Sequence, residues 1–88
     1  MYQLKISSKV KKFIIKRTPK EQKRLIEIFG ILQEDPYNNE LSIKPLKGSH
    51  NSEFRLRFGK YRIIYEIVDD ELIIYLLDAD SRGGIYKK

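Results

Sequence analysis

The chain has 88 residues, with 18 Lys and Arg against 12 Asp and Glu, a net charge of +6, and no cysteine. That length suits one domain, 1–88, and a 41% hydrophobic content arranged in periodic runs excludes a disordered chain. Disulfides, thiolate metal sites and, with His50 as the one histidine, zinc sites of several imidazoles are excluded. No apolar run approaches the roughly 20 residues of a membrane helix. The opening Met-Tyr-Gln-Leu-Lys-Ile lacks the layout of a signal peptide, so the chain reads as cytoplasmic. Its positive charge points to a polyanionic partner, with nucleic acid first.

The elements read β-α-α-β-β-β. Tyr2–Ile6 alternates Tyr2, Leu4 and Ile6 with polar residues, as a half-buried strand does. Ser7 and Ser8 can cap a helix in which Val10, Phe13, Ile14 and Arg17 follow i, i+3, i+4 spacing. Lys9, Lys11, Lys12 and Lys16 ring its wet side. Thr18-Pro19-Lys20-Glu21 starts a second helix, with Thr18 at the N-cap, Pro19 in the first helical position and Glu21 closing a capping box. Leu25, Ile28, Phe29 and Leu32 form its apolar stripe, widened by Ile26 and Ile31. Asp35-Pro36 ends it, because proline disfavours helical geometry in the residue before it.

Tyr37–Ser52 reads as connection, with an extended segment at Ser42–Leu46 and a turn at Lys47-Gly48-Ser49. Phe54–Phe58, Tyr61–Val68 and Leu72–Ala79 are rich in aromatic and β-branched residues and read as strands. Gly59-Lys60, with glycine first, fits a type II′ hairpin turn. Asp69-Asp70 is a second two-residue turn of poorer chemistry. The tail from Asp80 to Lys88 reads as short, flexible and basic.

The Gly59-Lys60 turn sets a register. Phe58 faces Tyr61, Leu56 faces Ile63 and Phe54 faces Tyr65, so that face is the core, covered by the helices. The other face pairs Arg57 with Arg62, Arg55 with Ile64 and Glu53 with Glu66. Like charges directly opposite cost roughly 0.2–1 kcal/mol, and an anion between them would reverse the sign. Two guanidinium forks, with Arg55 two residues along, suit a phosphate. A two-residue turn at Asp69-Asp70 would send Leu72, Ile74 and Leu76 to the core. Ile73, Tyr75 and Leu77 would then join the arginine face, with Tyr75 near Ile64. Asp78 and Asp80 read as a polar strand end rather than metal ligands. His50 reads as a loop residue.

Three segments stand together: Pro45-Leu46-Lys47-Gly48; the stretch Phe54-Arg55-Leu56-Arg57-Phe58-Gly59-Lys60-Tyr61-Arg62-Ile63-Ile64-Tyr65; and Arg82-Gly83-Gly84-Ile85-Tyr86. With the helical hairpin upstream, they resemble the RelE/ParE superfamily of toxins from prokaryotic toxin–antitoxin modules, over nearly the whole chain. The resemblance implies an α+β fold: a small antiparallel sheet packed on one face by the N-terminal helical hairpin, with a basic concave face. It implies one of two activities. RelE-like toxins cleave mRNA in the ribosomal A site, whereas ParE-like toxins poison DNA gyrase and lack the catalytic set. Arg57 and Arg62 match the basic strand positions of the RelE-like set, and Arg82, four residues before Tyr86, matches its C-terminal pair.

On that resemblance the catalytic residues are Arg57, Arg62, Arg82 and Tyr86, and the RNA-binding residues are Arg55, Lys47 and Lys60. The implied reaction is attack of the 2′-OH on the adjacent phosphorus, leaving a 2′,3′-cyclic phosphate and a 5′-hydroxyl, with no metal or other cofactor. Arg55 and Arg57 stand where RelE has lysines. Arginine holds a phosphate but is a poor general base. Lys60, Lys47, Glu53, Glu66 and an ionised Tyr86 are unranked candidates for that role. The implied partners are a cognate antitoxin, the ribosome and mRNA, without a membrane. A non-catalytic RNA-binding module with the same basic face is a further alternative.

Overall fold

The computed structural model describes residues 1–38, 40–46 and 53–81. Its elements are β1 (Gln3–Ile6), α1 (Ser8–Ile15), α2 (Pro19–Glu34), β2 (Ser42–Pro45), β3 (Glu53–Phe58), β4 (Tyr61–Val68) and β5 (Ile73–Ser81), with a 3-10 turn at Asp69–Glu71. Five strands form one sheet in the order β1-β5-β4-β3-β2. The architecture is α+β, as the sequence implies.

Both helix starts follow from their caps. Ser7 Oγ accepts the Val10 N–H at 3.2 Å and donates to the Leu77 carbonyl at 3.0 Å, fastening α1 to β5. At α2, Thr18 Oγ1 accepts the Glu21 N–H, and the Glu21 carboxylate accepts the Thr18 N–H, each at 3.1 Å. These bonds satisfy amides that a helix end otherwise leaves open. Gln22 Nε2 donates to the Ile14 carbonyl at 2.9 Å, closing the C-terminal end of α1 against α2.

The core lies between the helices and one sheet face. Val10, Leu25, Leu32, Leu56, Ile63, Tyr65, Ile74 and Leu76 are fully buried there, with Ile28, Phe29 and Ile67 beside them. Ile26 is 68% exposed, against expectation. It sits about 100° round the helix from Leu25, on the flank turned away from the sheet. The Tyr65 hydroxyl donates to the Pro36 carbonyl at 2.9 Å, satisfying a polar group within this core.

The β3–β4 register is the one the turn implies: Phe58 opposite Tyr61, Leu56 opposite Ile63, Phe54 opposite Tyr65, and Arg57 opposite Arg62. Gly59 has φ +58, the conformation that type II′ asks of its first central residue.

The structure revises three expectations. First, the sheet is mixed rather than antiparallel throughout. β1 pairs with β5 in parallel: the helical hairpin carries the chain from β1 to β2 at the opposite edge, and the antiparallel run β2-β3-β4-β5 then returns across the sheet to lie beside β1. Second, β4 and β5 are joined by four residues, not two. Asp-Asp is poorly suited to the positive φ of a two-residue hairpin, and the chain instead makes a 3-10 turn before Leu72 takes φ 55. Leu72 is therefore 49% exposed instead of in the core. Third, the ladder shifts between Ile64 and Tyr65. Tyr65 pairs with Leu76 but Ile64 pairs with Asp78, leaving Leu77 as a bulge without a cross-strand partner. The four-residue turn, which sets Val68 opposite Ile73, places Tyr75 opposite Glu66, not Ile64. The strand continues through Asp80 and Ser81, residues read from sequence as tail.

Candidate nucleic-acid interface

The uncovered face is organised in rows across the strands. Ser42, Arg57, Arg62 and Asp80 form one continuous row over β2, β3, β4 and β5. Lys44, Arg55, Ile64 and Asp78 form the next. At about 4.8 Å between strands, each row spans roughly 14 Å. Arg57 is exposed and Arg55 half-buried, whereas Arg62 is only 5% exposed. The difference follows from position: β4 is the central strand, and the side chain of Arg62 lies between those of its two neighbours.

The bulge at Leu77 sets the row's acidic end. Uninterrupted alternation from the Glu66–Tyr75 pair would place Ala79 opposite Arg62. The extra residue places Asp80 there. Arg62 therefore has an arginine in register on one side and a carboxylate residue on the other. The Arg57–Arg62 juxtaposition is thus less costly than the two strands alone suggest, although Arg57 gains no such neighbour from β2.

A shallow depression of about 310 Å3 lies on this face, lined by Leu41, Ser42, Ile43, Lys44, Arg55 and Arg57. It joins Arg55 and Arg57, as the sequence implies, and adds Lys44, which the sequence reading did not select. Lys60 does not join them. It occupies the hairpin turn, with Nζ 5.8 Å from the centre of the Tyr61 ring, toward the helix-covered face. Glu53 and Glu66 pair with each other four residues along β3 and β4, roughly 13 Å from the Arg57–Arg62 pair. Lys47, His50, Arg82 and Tyr86 lie outside the described residues.

A second cleft, of about 340 Å3, opens where α1 passes the far ends of β4 and β5. Lys9, Lys12, Phe13, Lys16, Arg17, Tyr61, Ala79 and Asp80 line it. Arg17 packs into the corner of two edge-to-face rings whose centroids are 5.2 Å apart, with its guanidinium carbon 4.3 Å from the Phe13 centroid and 4.4 Å from the Tyr61 centroid. Its Nε donates to the Phe13 carbonyl at 3.1 Å. Tyr61 in turn donates to Glu21 at 3.3 Å. The backbone N–H of Thr18, chiefly, and then the Tyr61 hydroxyl and the Arg17 charge hold the Glu21 carboxyl below its usual range. The sequence reading treated these lysines as the solvated side of a helix. Their i, i+3, i+7 spacing signals one shared side, but not the edge-to-face ring pair that seats Arg17 beside it.

Among the described residues, no His, Cys, Asp and Glu side chains gather in groups of three or more that could hold a metal ion. No described helix is long and apolar enough to cross a membrane.

Fold and surface define a small basic α+β protein whose open sheet face carries arginines in register. Residues 4–86 match the family described as ParE toxin of type II toxin-antitoxin system, parDE. The chain is 32% identical to the protein named "Putative toxin RelE1" of Methanocaldococcus jannaschii, over 98% of this chain and 96% of that one. It is 27% identical to the toxin RelG of Mycobacterium tuberculosis, over 99% and 98% of the two chains. The fold superposes on the archaeal RelE–RelB complex of Pyrococcus horikoshii with a TM-score of 0.83, covering 93% of this chain and 96% of that one at 27% identity. The chain belongs to the RelE/ParE superfamily of type II toxin–antitoxin toxins.

Proposed function

We propose that this toxin is a ribosome-dependent mRNA endonuclease, neutralised by a cognate antitoxin. The observation that carries the reading is the Arg57–Arg62 pair, with Arg62 buried in the central strand and Arg55 beside it. A guanidinium fixed by its strand neighbours is preorganised to receive charge developing on a phosphoryl oxygen. In the proposed reaction, the ribose 2′-oxygen attacks the adjacent phosphorus, and the bond to the 5′-oxygen of the next nucleotide breaks. The 2′-hydroxyl proton passes to a base, and the departing 5′-oxygen takes up a proton. The products are a 2′,3′-cyclic phosphate and a 5′-hydroxyl.

Arg62 and Arg82 stabilise the phosphoryl charge, Arg55 and Arg57 position the backbone, and Tyr86 stacks on a base or assists proton transfer. Arginine replaces lysine at positions 55 and 57, so the base is sought elsewhere, and the distance of Glu53 and Glu66 from the arginine pair disfavours them. Lys44 joins the RNA-binding set. The antitoxin is proposed from the RelE–RelB complex of the Pyrococcus relative. An acidic segment of such a partner would complement the arginine row.

The ParE family match favours a second reading, inhibition of DNA gyrase without chemistry of its own. One induction experiment separates the two. Wild-type protein and an Arg62→Ala/Arg82→Ala variant are expressed from a tight promoter, with growth followed and 5′ ends of cellular mRNA mapped. The nuclease gives growth arrest with new in-frame mRNA ends, both lost in the variant. Arrest without new ends, accompanied by DNA damage, overturns the nuclease and supports the gyrase reading.

A further inference from the structure

The cleft beside α1 is built differently from a helix surface that merely carries lysines. Four cationic side chains and one carboxylate, Asp80, line it. Lys9 pairs with Asp78 at 3.5 Å. Lys12 and Lys16 have no hydrogen bond or carboxylate partner among the described residues, and the terminal nitrogens of Arg17 make no hydrogen bond or close ion pair there, although the Arg17 charge also acts on the nearby Glu21 carboxylate. The guanidinium of Arg17 is restrained, because it packs into the corner of two adjoining rings and its Nε is tied to the Phe13 carbonyl. Its remaining N–H groups form a fixed fork, the geometry that suits a phosphate.

Position adds a second argument. Asp80 lines this cleft and also stands opposite Arg62 in the arginine row. The bulge at Leu77 thus makes the row and the cleft neighbours across one strand. A polyanion lying along the row and passing over β5 arrives at Lys12, Lys16 and Arg17.

We propose that this cleft is a phosphate subsite for single-stranded RNA, binding a backbone phosphate on the β5 side of the arginine row. The inference rests on the RNA-directed reading above and extends its substrate path to α1. RNA is favoured over an acidic peptide because the two rings of the cleft, Phe13 and Tyr61, close on each other edge to face and Arg17 already packs against both. Little bare apolar floor is left for a peptide side chain to anchor on.

The test measures equilibrium binding of a short 2′-O-methyl RNA oligonucleotide, which lacks the attacking hydroxyl and cannot be cleaved by that route. Lys12→Gln/Lys16→Gln is compared with Lys20→Gln/Lys23→Gln, which removes the same charge from exposed positions on α2 outside the cleft. The cleft pair weakens binding on the order of tenfold at low salt, and lowers the slope of log affinity against log salt by about 0.7 for each phosphate no longer neutralised. The α2 pair changes affinity less than about twofold. Equal losses in both pairs, or none in the cleft pair, overturn the proposal. So does a cleft pair that loses binding to poly-glutamate while keeping its RNA affinity, which assigns the cleft to an acidic peptide. mRNA cleavage in cells is scored separately. Cleavage without a cleft effect overturns the subsite alone. A cleft effect in a wild type that cleaves nothing supports the subsite and overturns the nuclease.

Discussion

Arg57 and Arg62 stand directly opposite each other across β3 and β4, yet Arg57 is exposed and Arg62 is 5% exposed. The two therefore differ in what their loss does. Arg57→Gln relieves a like-charge pair without opening a cavity. It raises stability by about 0.2–1 kcal/mol at low salt, a gain that shrinks as added salt screens the exposed charge. The same substitution weakens RNA binding. Thermal unfolding at two ionic strengths, read beside RNA affinity, checks both signs.

Arg62→Lys keeps the charge but loses the planar fork. If the fork stabilises the reacting phosphate, mRNA cleavage falls on the order of 10²–10³-fold, as when one preorganised donor is lost. Cleavage retained in Arg62→Lys would show that charge alone suffices.

Asp80→Asn removes the carboxylate residue in register with Arg62. Uncleavable RNA binds several-fold more tightly, because an acidic group no longer borders the phosphate path. Cleavage nonetheless falls if Asp80 helps to orient Arg62. Affinity and cleavage moving in opposite directions distinguish orientation of Arg62 from simple repulsion of RNA.

Asp69 ties three parts of the chain together. Its carboxylate accepts from the Tyr2 hydroxyl at 2.5 Å and the Tyr37 hydroxyl at 2.9 Å. Those bonds, Tyr2's first, hold its pKa below the ordinary 3.8. A lowered folded-state value contributes stability that is present above about pH 4 and lost as pH falls through the folded value. On the alkaline side, burial and then the bond to Asp69 push Tyr37 up to about 12. A raised value contributes stability that is present below about pH 10 and lost between there and about pH 12. Asp69→Asn shrinks both effects, and Tyr37→Phe removes much of the alkaline one, in melts followed across pH.

Tyr65→Phe removes the hydroxyl that bonds the Pro36 carbonyl inside the core. Chemical denaturation should show a loss of about 1–3 kcal/mol, the cost of an unsatisfied buried acceptor, with no change in RNA affinity.

Much of this fold is legible in the residues themselves because it rests on local rules. Thr18, Pro19 and Glu21 announce a helix start through bonds made within one turn. Gly59 sets the hairpin register, and period-two alternation then assigns Leu56, Ile63 and Tyr65 to the core and Arg57 and Arg62 to the open face. That is why the arginine pair can be found without coordinates. What tertiary structure alone decided is whatever depends on strands meeting from distant parts of the chain. The parallel seat of β1, the four-residue turn that exposes Leu72, and the Leu77 bulge that exchanges Ala79 for Asp80 beside Arg62 leave no local pattern. Nor does the cleft, since Arg17 finds Tyr61 only when α1 packs across the ends of β4 and β5. Local bonds are written into neighbouring residues, whereas one extra residue in a strand changes sides and partners through packing with chain that lies far away in sequence.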